Sequence, residues 1–143
     1  MRETSAQTLS AVVERELAAP PEKVWRALTQ SHLMDEWLMK NDFQPVVGHR
    51  FKLRGEWGGV LECEVLAVEP YSSLSYTWDF DHADPAFGLK SVVSFTLTST
   101  DAGTHLRMEQ SGFRPDQKQA FGGAKAGWSQ FLAKLDQLLA RPV

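Results

Sequence analysis

Histidine and cysteine side chains are the first candidates for chemistry, because they bind metals and transfer protons or electrons. The chain has a single cysteine, Cys63, and four histidines that fall in four different predicted elements: His32, His49, His82 and His105. No pair of them shows metal-ligand spacing on one element. We therefore predict no metal site. A lone cysteine forms no internal disulfide and is typical of a reducing compartment.

Motifs for nucleophilic or phosphate chemistry are missing as well. The chain contains no Gly-x-Ser-x-Gly elbow and no glycine-rich phosphate loop. His82 lies close to Asp81 and Asp84, but such a run is more typical of a solvated polar loop than of a catalytic cluster. The residues thus favour a protein that is not an enzyme, without deciding the point.

Aromatic residues are the other unusual feature, since five tryptophans are many for a chain of this size. They have two interpretations: aromatic packing in a core, which is the commoner case, or an apolar pocket with a few polar groups. Gln110 and Tyr76 are the polar groups that strand alternation points inward. Asp35 and Glu36 allow two readings, a cavity mouth or, more commonly, a solvated helix face. The predicted ligand-binding residues are Trp37, Leu53, Trp57, Tyr76, Trp78, Phe95, Met108, Gln110, Phe121, Ala124 and Trp128.

A long C-terminal helix over residues 115–139 is the element around which the predicted fold is organised. Pro115 suits a first helical turn, and Pro142 marks the stop. Apolar residues recur in steps of three and four and form one stripe. These are Phe121, Ala124, Trp128, Phe131, Leu132, Leu135, Leu138 and Leu139. Such a stripe needs a broad apolar surface, which the upstream strands would supply.

Three glycines interrupt the first half of this helix: Gly122, Gly123 and Gly127. Each costs about 1 kcal/mol relative to alanine. They indicate either a frayed or kinked start, or a thin, mobile half that lies above a cavity. Gly127 would also let the backbone approach the sheet, so that Trp128 is deeply placed.

The N-terminal part predicts a strand followed by a helical hairpin. Residues 9–18 form the strand, with Val13 and Leu17 facing a core. Pro21 suits the start of a first short helix, and Ser31 is a candidate cap for a second.

The following strands are joined by short loops, which predict an antiparallel sheet. For the first hairpin, a three-residue loop over residues 58–60 pairs Leu53 with Val65. It also keeps Arg54 and Glu64 on the solvent-exposed face of the sheet. For the last hairpin, an even loop over residues 100–103 pairs two inward-facing sets, Phe95 with Met108 and Val93 with Gln110.

The composition limits the possible partners. A formal charge of −3 does not indicate the positively charged surface that binds nucleic acid. No apolar run approaches the roughly 20 residues of a membrane span, and the start carries no apolar signal region. We expect a cytoplasmic protein with one domain over residues 1–143, of which residues 1–8 are disordered.

The order of elements and several motifs resemble a known family. Strand, two short helices, antiparallel meander and long terminal helix are similar to the α+β helix-grip fold of the START and birch-pollen-allergen (SRPBCC) superfamily. Local motifs resemble the proteins similar to the C-terminal domain of the activator of the ninety-kilodalton heat-shock-protein ATPase. The matching stretches cover most of the chain: residues 19–29, Trp37, residues 76–78, Gly103 with Thr104 and Leu106, residues 110–113, and Gly127 with Trp128.

This resemblance implies a curved sheet that grips the helix around an internal cavity for a small apolar ligand, and it implies no fixed cofactor. It leaves three functions open: a binding module, which we place first; a polyketide cyclase or hydratase on the same fold; and a domain that acts on a chaperone. The oligomer would be a monomer or a homodimer. The chaperone activators carry a further N-terminal domain, so we expect no stimulation of a chaperone ATPase by this chain alone.

Overall fold

The structure, a computed structural model, describes residues 8–56, 58–84 and 87–141. The expectations for Trp57, for Pro142 and for most of the N-terminal segment therefore lie outside the described residues. Seven strands and three helices follow one another along these ranges. They are β1 (Leu9–Leu17), α1 (Pro21–Thr29), α2 (Ser31–Trp37), β2 (Lys40–Asn41), β3 (Arg50–Arg54), β4 (Val60–Glu69), β5 (Ser73–Phe80), β6 (Leu89–Thr100), β7 (Gly103–Phe113) and α3 (Lys118–Ala140).

All seven strands form one antiparallel sheet in the order β1-β7-β6-β5-β4-β3-β2. The sheet curves, its inner face carries the apolar residues of each strand, and α3 covers that face. This confirms the predicted α+β helix-grip fold. β1 lies at an edge, which explains why it tolerates the charged run from Glu14 to Glu16.

The helical hairpin agrees with the sequence except at its cap. Pro21 is the first residue of α1, and Val24, Trp25 and Leu28 are buried. Ser31 does not cap α2: its hydroxyl donates to the Asn41 carbonyl at 3.1 Å instead. That bond ties α2 to β2, a strand too short for any periodicity to reveal.

α3 begins three residues later than predicted, at Lys118. The preceding residues form a separate turn, in which the Arg114 amide donates to Gln117 Oε1 at 2.9 Å and the Gln117 amide to the Arg114 carbonyl. The predicted stripe faces the core, but unevenly. The buried residues are Trp128, Leu132, Leu135 and Leu139, so burial begins only near the middle of the helix.

The register predicted for the first hairpin is wrong. Leu53 pairs with Leu61 rather than with Val65, and Arg50 rather than Arg54 lies opposite Glu64. The connection spans residues 55–59, closed by the Gly55 amide on the Gly59 carbonyl at 3.0 Å. Because the error is an even number of residues, every side chain keeps its predicted face. Leu53 and Val65 are buried, and Arg54 is exposed.

The last hairpin has the predicted register. Phe95 pairs with Met108, and Val93 pairs with Gln110. All four side chains are buried under the helices. The tight turn between Thr100 and Gly103 leaves only two residues outside the ladder, so the even loop length fixed the pairing.

On the outer face, His105 of β7 is clamped by two carboxylates of β1. Its Nε2 lies 2.7 Å from Glu14 Oε1, and its Nδ1 contacts Glu16. The hydrogen bonds to Glu16 and then to Glu14 raise the pKa of His105 above its usual value of 6.5. The imidazole ring of His105 therefore binds a proton more tightly in the folded state than in the unfolded state.

This contact predicts a pH dependence of stability. Below the unfolded pKa, the clamp contributes its full stabilisation, which is lost as the pH rises through the raised folded pKa. We expect the free energy of unfolding to fall between about pH 6 and pH 9, and the fall to be smaller in His105→Gln. Urea denaturation at both pH values measures the difference. Equal pH dependence in the two proteins would show that the clamp contributes nothing.

Candidate functional site

Five buried aromatic side chains from four elements meet beneath α3 and form what we call the aromatic cluster: Trp37, Tyr76, Trp78, Phe95 and Trp128. The ring of Trp128 lies 5.1 Å from that of Trp78 and 5.7 Å from that of Phe95. Phe95 in turn contacts Tyr76 at 6.1 Å and Trp37 at 6.4 Å. These tilted and edge-to-face contacts are the arrangement that aromatic rings prefer.

A chain of hydrogen bonds crosses the same region. The indole Nε1 of Trp128 donates to Gln110 Oε1 at 2.8 Å, and Gln110 Nε2 donates to Ser91 Oγ at 3.0 Å. Ser91 Oγ donates to the Trp78 carbonyl at 2.6 Å. Gln110 thus faces inward as predicted, and protein groups occupy its oxygen and its nitrogen. Sequence reasoning missed Ser91, although it shares the inward parity of Val93 and Phe95.

The predicted ligand-binding residues divide into three groups. Eight are buried together: Trp37, Leu53, Tyr76, Trp78, Phe95, Met108, Gln110 and Trp128. Phe121 and Ala124 are half-buried on the first half of α3, and Trp57 lies outside the described residues. The structure therefore places eight of the eleven predicted residues in the interior, five of them in the aromatic cluster.

Tyr76, a member of the cluster, is titratable, and Cys63 is a second buried titratable group that is close enough to affect the pKa of Tyr76. Burial, followed by the nearby carboxylates of Asp79, Glu62 and Asp42, raises the pKa of Cys63. Burial, followed by Cys63, raises the pKa of Tyr76 well above its usual value. Both groups are therefore neutral near pH 7. Neither supplies the thiolate or phenolate that nucleophilic or base catalysis needs.

An open groove of about 510 Å³ lies beside the cluster, and we call it the α2–α3 groove. Its apolar side chains are Trp37, Leu38, Met39 and Phe131. Its rim mixes three carboxylates with three cations: Asp35, Glu36, Glu56, Lys40, Arg54 and Lys134. Since the rim charges balance and the floor is apolar, the groove suits a neutral, apolar ligand.

Two residues connect this groove with the interior. Trp37 lines the groove and contacts Phe95, and Phe131 lines the groove with its ring 5.4 Å from Trp128. Asp35 and Glu36 line the groove and are exposed, a position that is compatible with a mouth and with a solvated helix face.

The first half of α3, residues 118–127, is less deeply packed than the rest of the helix: Phe121 contacts Phe113 at 5.7 Å, and Ala124 lies against the core. The buried residues of α3 begin only at Trp128. A Cβ added at Gly122, Gly123 or Gly127 would meet no atom within 4 Å. The close approach predicted for Gly127 is therefore wrong: Trp128 is buried because of the direction of its own side chain.

The remaining candidates form no site. Among the described residues, no three histidine, cysteine, aspartate or glutamate side chains gather as metal ligands. The ring of His82 accepts the Asp84 amide at 3.0 Å and contacts Phe80 and Phe87, away from the aromatic cluster. None of the helices in the described ranges is long and apolar enough to span a membrane.

Comparison with known proteins gives a consistent result. The family model described as "Activator of Hsp90 ATPase homolog 1-like protein" matches residues 18–140. The crystal structure of protein MLL2253 from Mesorhizobium loti is 68% identical, with a TM-score of 0.92 over 94% of this chain and 99% of that one. No curated protein is significantly similar in sequence.

Two more distant structures share the fold. DynU16, a protein of the dynemicin biosynthetic locus, is 26% identical with a TM-score of 0.80; the match covers 91% of this chain and 46% of that one. The solution structure of the Aha1 dimer from Colwellia psychrerythraea is 23% identical with a TM-score of 0.78, over 92% of this chain and 96% of that one.

Proposed function

The chain belongs to the family of Activator of Hsp90 ATPase homolog 1-like proteins, and from that premise we propose that it binds a small apolar or aromatic molecule between α3 and the sheet. One observation carries the proposal. The α2–α3 groove reaches the aromatic cluster through Trp37 and Phe131. A ligand that enters the groove would replace contacts between aromatic rings with contacts to its own apolar surface.

Access to the cluster requires movement, and the first half of α3 is the segment best suited to move. It buries no side chain fully, and its glycines lower helix stability. Segments with few buried contacts open at low free-energy cost. We propose that this half acts as a lid, hinged where Trp128 begins the packed half.

Stopped-flow binding of Nile red, a neutral apolar dye, tests the lid. The double variant Gly122→Ala and Gly123→Ala should raise the free energy of unfolding by up to about 2 kcal/mol, because both positions are helical and have room for a methyl group. It should also slow dye association, since a stiffer helix opens less often. Equal association rates with raised stability would leave the glycines without a gating role.

The groove itself is tested with the same dye at equilibrium. Phe131→Ala should weaken dye binding by about tenfold, because the ring contributes apolar area in the groove. Phe87→Ala is the matched control, since Phe87 is 64% exposed and lies in the β5–β6 loop. If the wild-type protein does not bind the dye, or if the two variants bind it with equal affinity, the proposed site is wrong.

The alternatives have less support. For a cyclase or hydratase, the ionisable pair expected in the interior would be Cys63 and Tyr76, and burial keeps both neutral. For docking to a chaperone, the supporting observation is the exposure of Val46 and Val47 in the β2–β3 loop. A several-fold stimulation of a chaperone ATPase by this chain at micromolar concentration would place docking first.

A further inference from the structure

A second groove lies between α1, α2 and the C-terminal end of α3, and we call it the terminal groove. Its volume is about 310 Å³. Four apolar residues form its floor: Ala27, Leu33, Leu138 and Leu139. Leu33 and Leu138 are only half-buried, so the floor is accessible to a small molecule.

Its rim differs in charge from the rest of the protein. Lys23, Arg26 and Arg141 surround the apolar floor, and among the described residues one carboxylate, Glu36, opposes them. The protein as a whole carries a formal charge of −3. A local excess of positive charge on an acidic protein attracts an anion to this groove specifically.

Two of the three cations have partners within the protein. Lys23 Nζ donates to the Leu139 carbonyl at 2.7 Å, where it satisfies the end of α3. Arg141 forms an ion pair with Glu36 at 2.8 Å. By contrast, the Arg26 guanidinium is exposed and bonds no group in the part of the chain that the structure describes. Arg26 is thus free to bind an external carboxylate with two parallel hydrogen bonds.

We propose that the terminal groove binds a small organic acid, a carboxylate attached to an apolar chain. The carboxylate lies on Arg26 and the apolar chain on Leu33 and Leu138. This site goes beyond the function proposed above, because it lies outside the α2–α3 groove and takes a charged rather than a neutral ligand. Glu36 is the one residue that lines both grooves.

Glu36 acts as an internal competitor in this arrangement. While its carboxylate holds Arg141, that guanidinium is less available to the ligand. Replacing Glu36 with glutamine removes the competing charge and keeps the size of the side chain. The site therefore predicts opposite effects for two neutralising substitutions, at Arg26 and at Glu36.

Isothermal titration calorimetry with sodium octanoate tests the site, with octanol and octylammonium as probes of the same chain length. Octanoate should bind more tightly than the other two, and less tightly at high salt. Arg26→Gln should weaken octanoate binding by about tenfold. Glu36→Gln should strengthen it. Arg50→Gln, a matched change of an 85% exposed side chain on the outer face of the sheet, should leave it unchanged.

Any of four results would overturn the proposal. Equal affinities for octanoate and octylammonium would show that only the apolar floor matters. If Arg26→Gln bound octanoate with unchanged affinity but had a lower melting temperature, the role of the cations would be to stabilise the helix C-termini and not to bind the ligand. Amide chemical shifts that move in the α2–α3 groove rather than at Ala27 and Leu33 would place octanoate at the other site. Displacement of Nile red by octanoate would do the same.

Discussion

Replacing Trp128 with alanine is expected to lower the free energy of unfolding by about 3–5 kcal/mol. Domains of this size are stable by about 5–15 kcal/mol, so the variant would lose a large part of its stability. Urea denaturation followed by circular dichroism measures the change. A loss below about 1 kcal/mol would mean that the site collapses around the missing ring with little cost.

The expected size follows from what Trp128 contacts. The side chain is 2% exposed and lies against Trp78, Phe95 and Phe131. Its removal leaves a cavity at the centre of the aromatic cluster and deprives Gln110 Oε1 of its donor. A buried acceptor without a donor costs about 1–3 kcal/mol, so the hydrogen bond is a substantial part of the total.

A companion variant separates the ring from the hydrogen bond. Trp128→Phe keeps an aromatic ring in the cluster and removes the N–H group. We expect it to lose less stability than Trp128→Ala. If the two variants were equally destabilised, packing in the cluster would contribute little and the polar chain through Gln110 and Ser91 would account for the effect.

Replacing Gly103 with alanine should be similarly severe, with an expected loss of about 2–6 kcal/mol from backbone strain and overpacking together. Gly103 has a φ of +153°, a conformation open almost only to glycine. A Cβ at this position would lie 2.1 Å from the Leu17 carbonyl oxygen and 2.8 Å from the Ala19 nitrogen. Since both are backbone atoms, the end of β1 would have to shift away from the β6–β7 turn.

Gly123→Ala is the matched control for this substitution. It adds the same methyl group at a helical position where nothing lies within 4 Å, and it should stabilise the protein by about 1 kcal/mol. If the contacts of Gly103 are as described, thermal unfolding will show a lower melting temperature for Gly103→Ala and a higher one for Gly123→Ala. A stable Gly103→Ala protein would show that β1 accommodates the methyl group.

The parts of the fold that the sequence predicted correctly are those with a long, clean alternation. In β5, β6 and β7 most residues at every second position are apolar, and the short even turn at Thr100 to Gly103 set the pairing of β6 with β7. This alternation and the turn length are enough to place Gln110 on the inner face. They do not identify its partners, because Trp128 and Ser91 reach it from separate elements.

Predictions failed where local geometry rather than periodicity decides. Glycines at positions 55, 58 and 59 allow several turns, and the actual five-residue connection shifted the pairing of β3 with β4. Gly127 suggested a close approach that the helix does not make. The α2–α3 groove was beyond sequence reasoning as well, since its floor combines α2, the segment after it and α3.

The pairing of β1 with β7 has a consequence for how the chain folds during synthesis. Leu9 pairs with Phe113, so β1, which is synthesised first, has no hydrogen-bonded neighbouring strand until β7 has been synthesised. α3, which covers the core, emerges later still. Contacts this distant in sequence slow folding because a long loop must close first. Until then the apolar side of β1 depends on the charges of Glu14, Arg15 and Glu16 to keep nascent chains from associating.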